Sequence, residues 1–159
     1  MTDPGFEAFV NARGDYLWRS AWLLTGDSQK AEDLVQTALT KTFKKYRGSD
    51  REFECYVRTT MYHIYCSWWR RKWRGEIPTE VLPDVAEGRG QSEVSIDLAR
   101  ALAEVPTHQR AVLVLRYYED RSTAEAAQIL GLAEGTVKAY SSRALETLRK
   151  SRHLREEKS

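Results

Sequence analysis

The chain has 159 residues, of which 42% are hydrophobic and 30% charged, and its formal net charge is +2. This composition is that of a soluble globular protein with one ordinary domain or two small ones. No apolar run approaches the roughly 20 residues that cross a membrane, and the N-terminus lacks the basic and apolar regions of a signal peptide. The sequence therefore predicts a cytoplasmic protein without membrane insertion.

Two amphipathic helices are predicted in the first third of the chain. Residues 6–24 carry apolar side chains at helical spacing, but Gly14 interrupts the pattern and predicts either a bend or two helices. Residues 29–46 form the second helix, with Asp27 or Ser28 as its cap. Acidic residues lie early in this helix and basic residues late, as the helix dipole favours. Its polar face is also a candidate docking surface.

A third predicted helix, residues 52–74, ends in a cluster of tryptophans and cations. Bases stack on aromatic rings and phosphates pair with arginine and lysine, so this cluster predicts contact with nucleic acid. The alternative is that the tryptophans belong to the core and the cations to a solvated helix end. Trp68 is assigned to the core. Arg58, Tyr62 and His63 lie toward the face opposite the apolar stripe.

The stretch 75–92 holds two of the four prolines and three of the nine glycines. That density argues against a helix and predicts a flexible linker. The chain would then consist of two helical domains, residues 1–74 and 93–152, with a polar tail, residues 153–159, that frays. No stretch alternates with period two over a useful length, so the predicted fold is all-α.

The second domain is predicted to end in a helix-turn-helix. Residues 93–105 form one helix, and Pro106 opens a very apolar helix at the buried centre. Ser122 and Glu125 have the spacing of a capping box for the next helix, and Gly131 ends that helix. A helix with one apolar and one basic face follows, which is typical of a recognition helix in the major groove. A helical hairpin with solvated cations is the alternative.

Signatures of catalysis and of metal binding are missing from the sequence. There is no glycine-rich phosphate loop, and His63, His108 and His153 lack partners at metal-ligand spacing. Cys55 and Cys66, without a CxxC motif, are expected to be free thiols that are buried or half-buried. We therefore expect no enzyme activity, no cofactor, no metal and no small-molecule substrate.

Four motifs, in order along nearly the whole chain, resemble the extracytoplasmic-function (ECF, group 4) sigma factors of bacterial RNA polymerase, with a SigE-like actinobacterial branch as the nearest group. They are AEDLVQ at 31–36, YVR at 56–58 with WWRR at 68–71, LAEVP at 102–106 with RAVLVLRYYE at 110–119, and GTVK at 135–138 with SRA at 142–144. The resemblance implies a region 2 bundle in the first domain and a region 4 helix-turn-helix in the second. It also implies a promoter-specificity subunit that binds core RNA polymerase and promoter DNA, and an anti-sigma factor that holds it inactive.

The resemblance also carries roles over to individual residues. Docking on the coiled coil of the polymerase's largest subunit would involve Asp33, Gln36 and Thr37. Recognition of the −10 element and its melted strand would involve Tyr46, Arg47, Phe53, Arg58, Tyr62, His63, Arg70, Arg71 and Lys72. Reading of the −35 element would involve Lys138, Ala139, Ser142 and Arg143.

Three positions depart from the family pattern. Thr37 stands where the family usually has Glu, which predicts weaker polymerase docking, and His63 stands where Asn is usual, which predicts a different −10 preference. Ala133 replaces the usual Ser at the start of the recognition helix. The missing side-chain cap is expected to cost roughly 1 kcal/mol of local stability.

Two other functions fit parts of the sequence. A stand-alone helix-turn-helix regulator with a helical sensor or dimerisation domain would bind a palindrome as a dimer, but it has no need of the aromatic and basic helix end. An RNA-binding protein could use that helix end, but it leaves the helix-turn-helix unexplained. A promoter-specificity subunit accounts for both features.

Overall fold

The computed structural model describes residues 4–72 and 96–155. The N-terminal domain contains α1 (Pro4–Thr25), α2 (Ser28–Thr42, continued by the 3-10 turn Phe43–Lys45) and α3 (Asp50–Lys72). The C-terminal domain contains α4 (Ile96–Leu102), α5 (Thr107–Leu113, continued by the π-helical turn Val114–Tyr118), α6 (Thr123–Leu130), α7 (Glu134–Lys150) and α8 (Arg152–Arg155). No strand occurs in the described residues, and the all-α prediction is confirmed. The predicted linker, 75–92, lies outside them.

The first helix is continuous from Pro4 to Thr25, so the predicted alternative of two helices separated near Gly14 is wrong. A glycine inside a helix costs about 1 kcal/mol relative to alanine. Burial of Phe9, Leu17 and Trp22 along the same helix outweighs that cost, because each buried large apolar side chain contributes about 1.5–3 kcal/mol. Packing against the rest of the N-terminal domain therefore keeps α1 helical through its weakest position.

The second helix begins where the sequence predicts. Gly26 adopts a left-handed conformation with φ of 70°, and the Asp27 carboxylate accepts a hydrogen bond from the Lys30 amide at 2.9 Å. The buried side of α2 packs against α1 and α3 through Ala31, Leu34 and Ala38. Its polar side is thereby directed to solvent.

The helix-turn-helix has the predicted local structure. The Ser122 hydroxyl accepts the Glu125 amide at 3.0 Å, and the Glu125 carboxylate accepts the Ser122 amide at 2.8 Å, so the capping box is confirmed. Gly131 ends α6 with φ of 67°, a left-handed conformation that favours glycine. Ala133 precedes α7 without a side-chain cap, as the sequence predicts.

The C-terminal segment differs from its prediction. Residues 153–159 are expected to fray, but the chain forms α8 as far as Arg155, and α8 packs against α4 and α7 after the buried Ser151. Residues 156–159 lie outside the described part of the chain. Ser151 adopts an extended conformation, with φ of −67° and ψ of 130°, which ends α7 and turns the chain back onto the domain. No pattern in the sequence indicates this turn, because the segment is polar and contains only one strongly apolar residue, Leu154.

The two domains pack against each other. Buried apolar residues of both domains form one continuous core cluster. Helix α3 contacts α5 and α6, while α1 contacts α4 and α5. The Arg110 guanidinium crosses the boundary and donates a hydrogen bond to the Leu24 carbonyl at 2.7 Å. The contact between the domains therefore includes buried polar groups as well as apolar surface.

Candidate nucleic-acid interface

The polar face of α2 is accessible. Asp33 and Gln36 are exposed and Thr37 is half-buried. Their spacing of three and four residues puts them on one side of the helix. Gln29 donates to the Asp33 carboxylate at 3.3 Å, and Gln36 donates to Glu32 at 3.3 Å. Both hydrogen bonds are long and lie at the surface, so the polar face of α2 stays accessible to solvent.

A cleft of about 250 Å³ opens beside the loop between α2 and α3. Arg47 and Phe53 line it, and Tyr46 packs edge-on against Phe53 with ring centroids 5.2 Å apart. The Tyr46 hydroxyl donates to the Asp50 carboxylate at 3.0 Å, which fixes the loop. Arg47 is exposed, whereas Phe53 is buried. The cleft thus combines an aromatic wall with a cation at its rim.

Two predicted promoter contacts on α3 lie in a different environment from the one expected. Arg58 is 2% exposed and Tyr62 is fully buried. The prediction that their face of α3 is open is wrong for this structure. That face packs against the C-terminal domain, while the stripe containing Val57 and Met61 packs within the N-terminal domain. Helix α3 is therefore covered on two sides.

Arg58 and Tyr62 meet the Glu119 carboxylate of the C-terminal domain. The Arg58 Nε lies in salt-bridge contact with Glu119 Oε1, and the Tyr62 hydroxyl donates to Glu119 Oε2 at 2.5 Å. On its other side Arg58 donates to Glu54 at 2.9 Å, and Glu54 receives two further bonds from Arg13 at 2.6 and 2.8 Å. A continuous chain of ion pairs and charge-assisted hydrogen bonds therefore crosses the domain boundary.

Burial and the neighbouring charges shift the pKa values of Tyr62 and Glu54. Burial and the neighbouring Glu119 charge raise the pKa of Tyr62 well above its ordinary value, so it remains a neutral donor. Burial acts to raise the pKa of Glu54, but the hydrogen bonds from Arg13 and Arg58 together lower it below its ordinary value. Glu54 is consequently ionised at neutral pH and holds both arginines.

Glu54→Gln is expected to lower the free energy of unfolding by about 2 kcal/mol near neutral pH, since charge-assisted bonds to two arginines are weakened. The folded-state pKa of Glu54 lies below its ordinary 4.5. Its stabilising contribution is therefore complete above about that pH and is lost as the pH falls through the lowered folded value. Urea denaturation at neutral pH and at about pH 3 should show the gap between variant and wild type narrowing in acid.

The matched control for this prediction is Glu52→Gln, which removes an exposed carboxylate from the same helix. It is expected to stay within about 0.5 kcal/mol of wild type at both pH values. If Glu54→Gln lowered the free energy of unfolding by the same amount in acid as at neutral pH, the stabilising role assigned to the ionised Glu54 carboxylate would be contradicted.

His63 is exposed at the edge of the same boundary. Its Nε2 lies 2.7 Å from the carbonyl oxygen of Ile129 in α6, so this nitrogen carries a proton and donates it. The α3 helix continues to Lys72. The side chains of Arg70, Arg71 and Lys72 lie outside what the structure describes.

The recognition helix keeps its polar face open. Lys138, Ser142 and Arg143 are exposed, and Ala139 is half-buried. Val137 and Ala144 on the opposite side are fully buried against the domain core. The four predicted −35 residues therefore share an accessible, positively charged surface of α7.

Glu119 and Glu54 are the main polar residues that sequence reasoning missed. Glu54 precedes Arg58 by four residues, a spacing that predicts a helical ion pair. Glu119 gave no such signal, because it lies 57 residues from Tyr62 along the chain. Only the packing of the domains brings it to α3.

The part of the chain that the structure describes lacks metal-binding groups, membrane-spanning helices and disulfides. It contains no group of His, Cys, Asp and Glu residues that could hold a metal ion, and no helix there is long and apolar enough to span a membrane. Cys55 and Cys66 do not form a disulfide, as predicted. Cys66 is half-buried as expected, but Cys55 is exposed, because its side of α3 faces an open cleft beside α6.

The fold and these surfaces define a helical DNA-binding protein, in which an N-terminal helical bundle is followed along the chain by a helix-turn-helix. Family models place the chain more closely: sigma-70 region 2 matches residues 9–75, and sigma-70 region 4 matches residues 95–148. The chain belongs to the sigma-70 family of RNA polymerase sigma factors, in its ECF group. It is therefore a transcription initiation factor and not an enzyme.

Curated relatives agree with this membership. The chain is 39% identical over 158 residues to the RNA polymerase sigma-E factor of Streptomyces avermitilis, covering 95% of this chain and 87% of the relative. It is 32% identical over 151 residues to the ECF RNA polymerase sigma factor SigL of Mycobacterium tuberculosis, covering 89% and 85%. A stand-alone regulator and an RNA-binding protein, the two alternatives, are not supported.

A solved structure shows the same fold. It is the sigma factor RpoE of Bartonella quintana in complex with the anti-sigma factor NepR, with a TM-score of 0.71 and 27% sequence identity. The similarity covers 91% of this chain and 94% of that one.

Proposed function

We propose that this sigma factor directs core RNA polymerase to promoters through three separate surfaces: the α2 face, the cleft beside the α2–α3 loop, and the exposed face of α7. The observation that carries the proposal is that all three are accessible on one chain and each has the chemistry its role needs. The domain limits at 74/75 and 92/93 belong to the same proposal.

The α2 face is proposed to dock on the coiled coil of the polymerase's largest subunit. Asp33 supplies the negative charge and Gln36 supplies amide hydrogen bonds, while Thr37 gives the surface one charge fewer than the family pattern. Exposure of Asp33 and Gln36 supports this role, because neither needs a rearrangement before docking.

The cleft beside the α2–α3 loop is proposed to hold an unstacked base of the −10 element. Phe53 would supply aromatic contact, Tyr46 would hold Phe53 in place by packing edge-on against it, and Arg47 at the rim would pair with phosphate. Further contacts to the melted strand are proposed for the α3 residues Arg58, Tyr62, His63, Arg70, Arg71 and Lys72. Arg58 and Tyr62 can serve only when the domains separate, since both are buried in the packed arrangement.

The exposed face of α7 is proposed to read the −35 element in the major groove. Lys138 and Arg143 would contact bases or phosphates, Ser142 would donate or accept a hydrogen bond, and Ala139 would allow close approach. We further propose a cytoplasmic location and control by an anti-sigma factor; the fold shared with a sigma factor solved in complex with its anti-sigma factor supports the latter.

The test of the proposed function is binding to purified core polymerase from Streptomyces. The wild-type chain should bind stoichiometrically, and Asp33→Ala/Gln36→Ala should bind at least about tenfold more weakly, because loss of two central interface contacts typically costs over 1 kcal/mol. The matched control is Glu104→Ala/Gln109→Ala, an acid and an amide on the C-terminal domain.

Absence of wild-type binding, or equal losses in both double variants, would contradict the proposal. The assembled holoenzyme is then supplied with a promoter library randomised at the −35 and −10 elements. Sequencing of its transcripts identifies the promoter that the chain selects and provides the template for the experiments below.

A further inference from the structure

We propose that a cleft at the turn between α4 and α5 binds the phosphate group of a small molecule, which acts as a ligand and not as a substrate. The cleft has a volume of about 380 Å³ and is lined by residues 103–110 and by Tyr140 of α7. Clefts of this size commonly hold small molecules. The site is separate from the three surfaces proposed above, and its binding of phosphate can be tested without polymerase.

Thr107, one of the residues that line this cleft, has a buried hydroxyl group without a hydrogen-bond partner. The residue is only 4% exposed, and no described residue forms a hydrogen bond with its Oγ1. Buried polar groups of native proteins nearly always have a partner, so an unsatisfied one points to a water, an ion or a ligand. A hydroxyl can donate to a phosphate oxygen, which makes Thr107 the first candidate contact.

Arg110 lines the same cleft and carries a buried positive charge. It is 8% exposed, and its guanidinium donates to the carbonyl oxygens of Leu24, Ala103 and Val105. These carbonyl groups satisfy the donors but carry no net charge, so they do not cancel the charge of the guanidinium. A guanidinium stays protonated at every physiological pH. The cleft therefore lies against a permanent positive charge that solvent screens only weakly.

More accessible residues complete the cleft. His108 is exposed, and a neutral imidazole has one N–H that can donate to phosphate. Tyr140 is half-buried and supplies the α7 side of the cleft. Glu104 is an exposed carboxylate that opposes the binding of an anion, but solvent screens its charge more strongly than that of Arg110. Hydroxyl and nitrogen donors beside a guanidinium form a set that suits phosphate oxygens.

The depth of the site favours a small molecule over promoter DNA as the source of the phosphate. Thr107 and Arg110 are both more than nine-tenths buried, so a phosphate must enter the cleft to approach them. The phosphates of a duplex are held on a wide double helix that lies across a protein surface. A free phosphorylated molecule has no such restriction.

A ligand in this cleft is placed to influence the recognition helix. Tyr140 precedes Arg143 by three residues, a spacing that makes the two side chains neighbours on the surface of α7. A bound phosphate adds negative charge beside Arg143, which attracts this arginine and repels the phosphates of a duplex. We therefore expect the ligand to weaken binding of the −35 element.

The first experiment titrates the full chain with inorganic pyrophosphate at constant ionic strength and follows its backbone amide resonances by NMR. Resonances of residues 103–110 should shift and saturate. Thr107→Val should bind pyrophosphate at least about tenfold more weakly, because a hydrogen bond to a charged group is lost. Its unfolding midpoint in urea should be no lower than that of wild type, since the hydroxyl has no partner to lose. The matched control is Ser20→Ala, which removes another buried hydroxyl without a partner, away from the cleft.

Two exposed positions test the charges of the site without risk to the fold. His108→Ala should bind pyrophosphate at least about threefold more weakly, because one donor is lost. Glu104→Gln should bind it more tightly, because the opposing charge is removed. Equal affinities of wild type and Thr107→Val, or shifts spread over the whole surface without saturation, would indicate water in the cleft and an adventitious ion only, and would overturn the proposal.

The second experiment distinguishes a small molecule from promoter DNA. Without pyrophosphate, holoenzymes containing wild type and Thr107→Val should bind the selected promoter equally well. Saturating pyrophosphate should weaken promoter binding at least about threefold for wild type and leave Thr107→Val unchanged. Weaker promoter binding by Thr107→Val in the absence of pyrophosphate would assign the site to a DNA phosphate and overturn the small-molecule ligand.

Equal weakening of both holoenzymes by pyrophosphate would overturn the link between the cleft and the recognition helix. Failure of the wild-type chain to form a holoenzyme would instead contradict the proposed function. The NMR titration of the free chain would still test the phosphate site in that case, because it contains no polymerase.

Discussion

Replacement of Arg110 by methionine is expected to lower the free energy of unfolding by about 3 kcal/mol or more. Arg110 is only 8% exposed. Its guanidinium donates to the carbonyl oxygens of Leu24 at 2.7 Å, Val105 at 2.8 and 3.2 Å, and Ala103 at 3.4 Å. Methionine fills similar space but leaves the buried carbonyls of Leu24 and Val105, near the ends of α1 and α4, without this donor.

Urea denaturation followed by circular dichroism measures this loss. Arg110→Lys should fall between wild type and Arg110→Met, since an ammonium keeps the charge but cannot serve three carbonyls in one plane. Arg152→Met, an exposed arginine of α8, should lie within about 0.5 kcal/mol of wild type. If Arg110→Met were as stable as Arg152→Met, Arg110 would not be a structural link between the domains.

Arg143→Ala is expected to reduce holoenzyme affinity for the selected promoter by about tenfold or more and to relax sequence preference at one −35 position. An arginine that pairs with a guanine edge contributes about 1–3 kcal/mol of discrimination. Transcription of the promoter library by the variant and wild-type holoenzymes measures both the promoter affinity and the −35 preference. Binding of the variant to core polymerase should be unchanged.

The control for this prediction is Arg149→Ala on the same helix. Arg149 lies six residues, or about 9 Å, nearer the C-terminal end of α7, where it pairs with Glu146 at 2.6 Å. It should change neither the preferred −35 sequence nor the affinity by more than about threefold. Loss of affinity without a change in sequence preference in Arg143→Ala would assign Arg143 to phosphate rather than to a base.

Local structure was largely predictable from the sequence. Helix ends depend on neighbouring residues, so the Ser122–Glu125 capping box and the glycine stop at Gly131 could be identified from the sequence, and the cap of α2 could be narrowed to Asp27 or Ser28, of which the structure shows Asp27. The exposed residues of α2 and α7 were predictable from helical periodicity. The apolar stripe of each helix packs inward, so the other side of the helix faces water. The family followed from four motifs in their order along the chain.

The tertiary structure decided what covers α3. Helical periodicity identifies one apolar stripe and assigns the rest of the helix to solvent, which is why Arg58 and Tyr62 were expected in the open. Their partner Glu119 belongs to the other domain, and the pairing depends on how two helical units pack, which local spacing does not encode. The packing of α8 against α4 escaped prediction for a similar reason: it comes from the turn at Ser151 and not from the composition of α8.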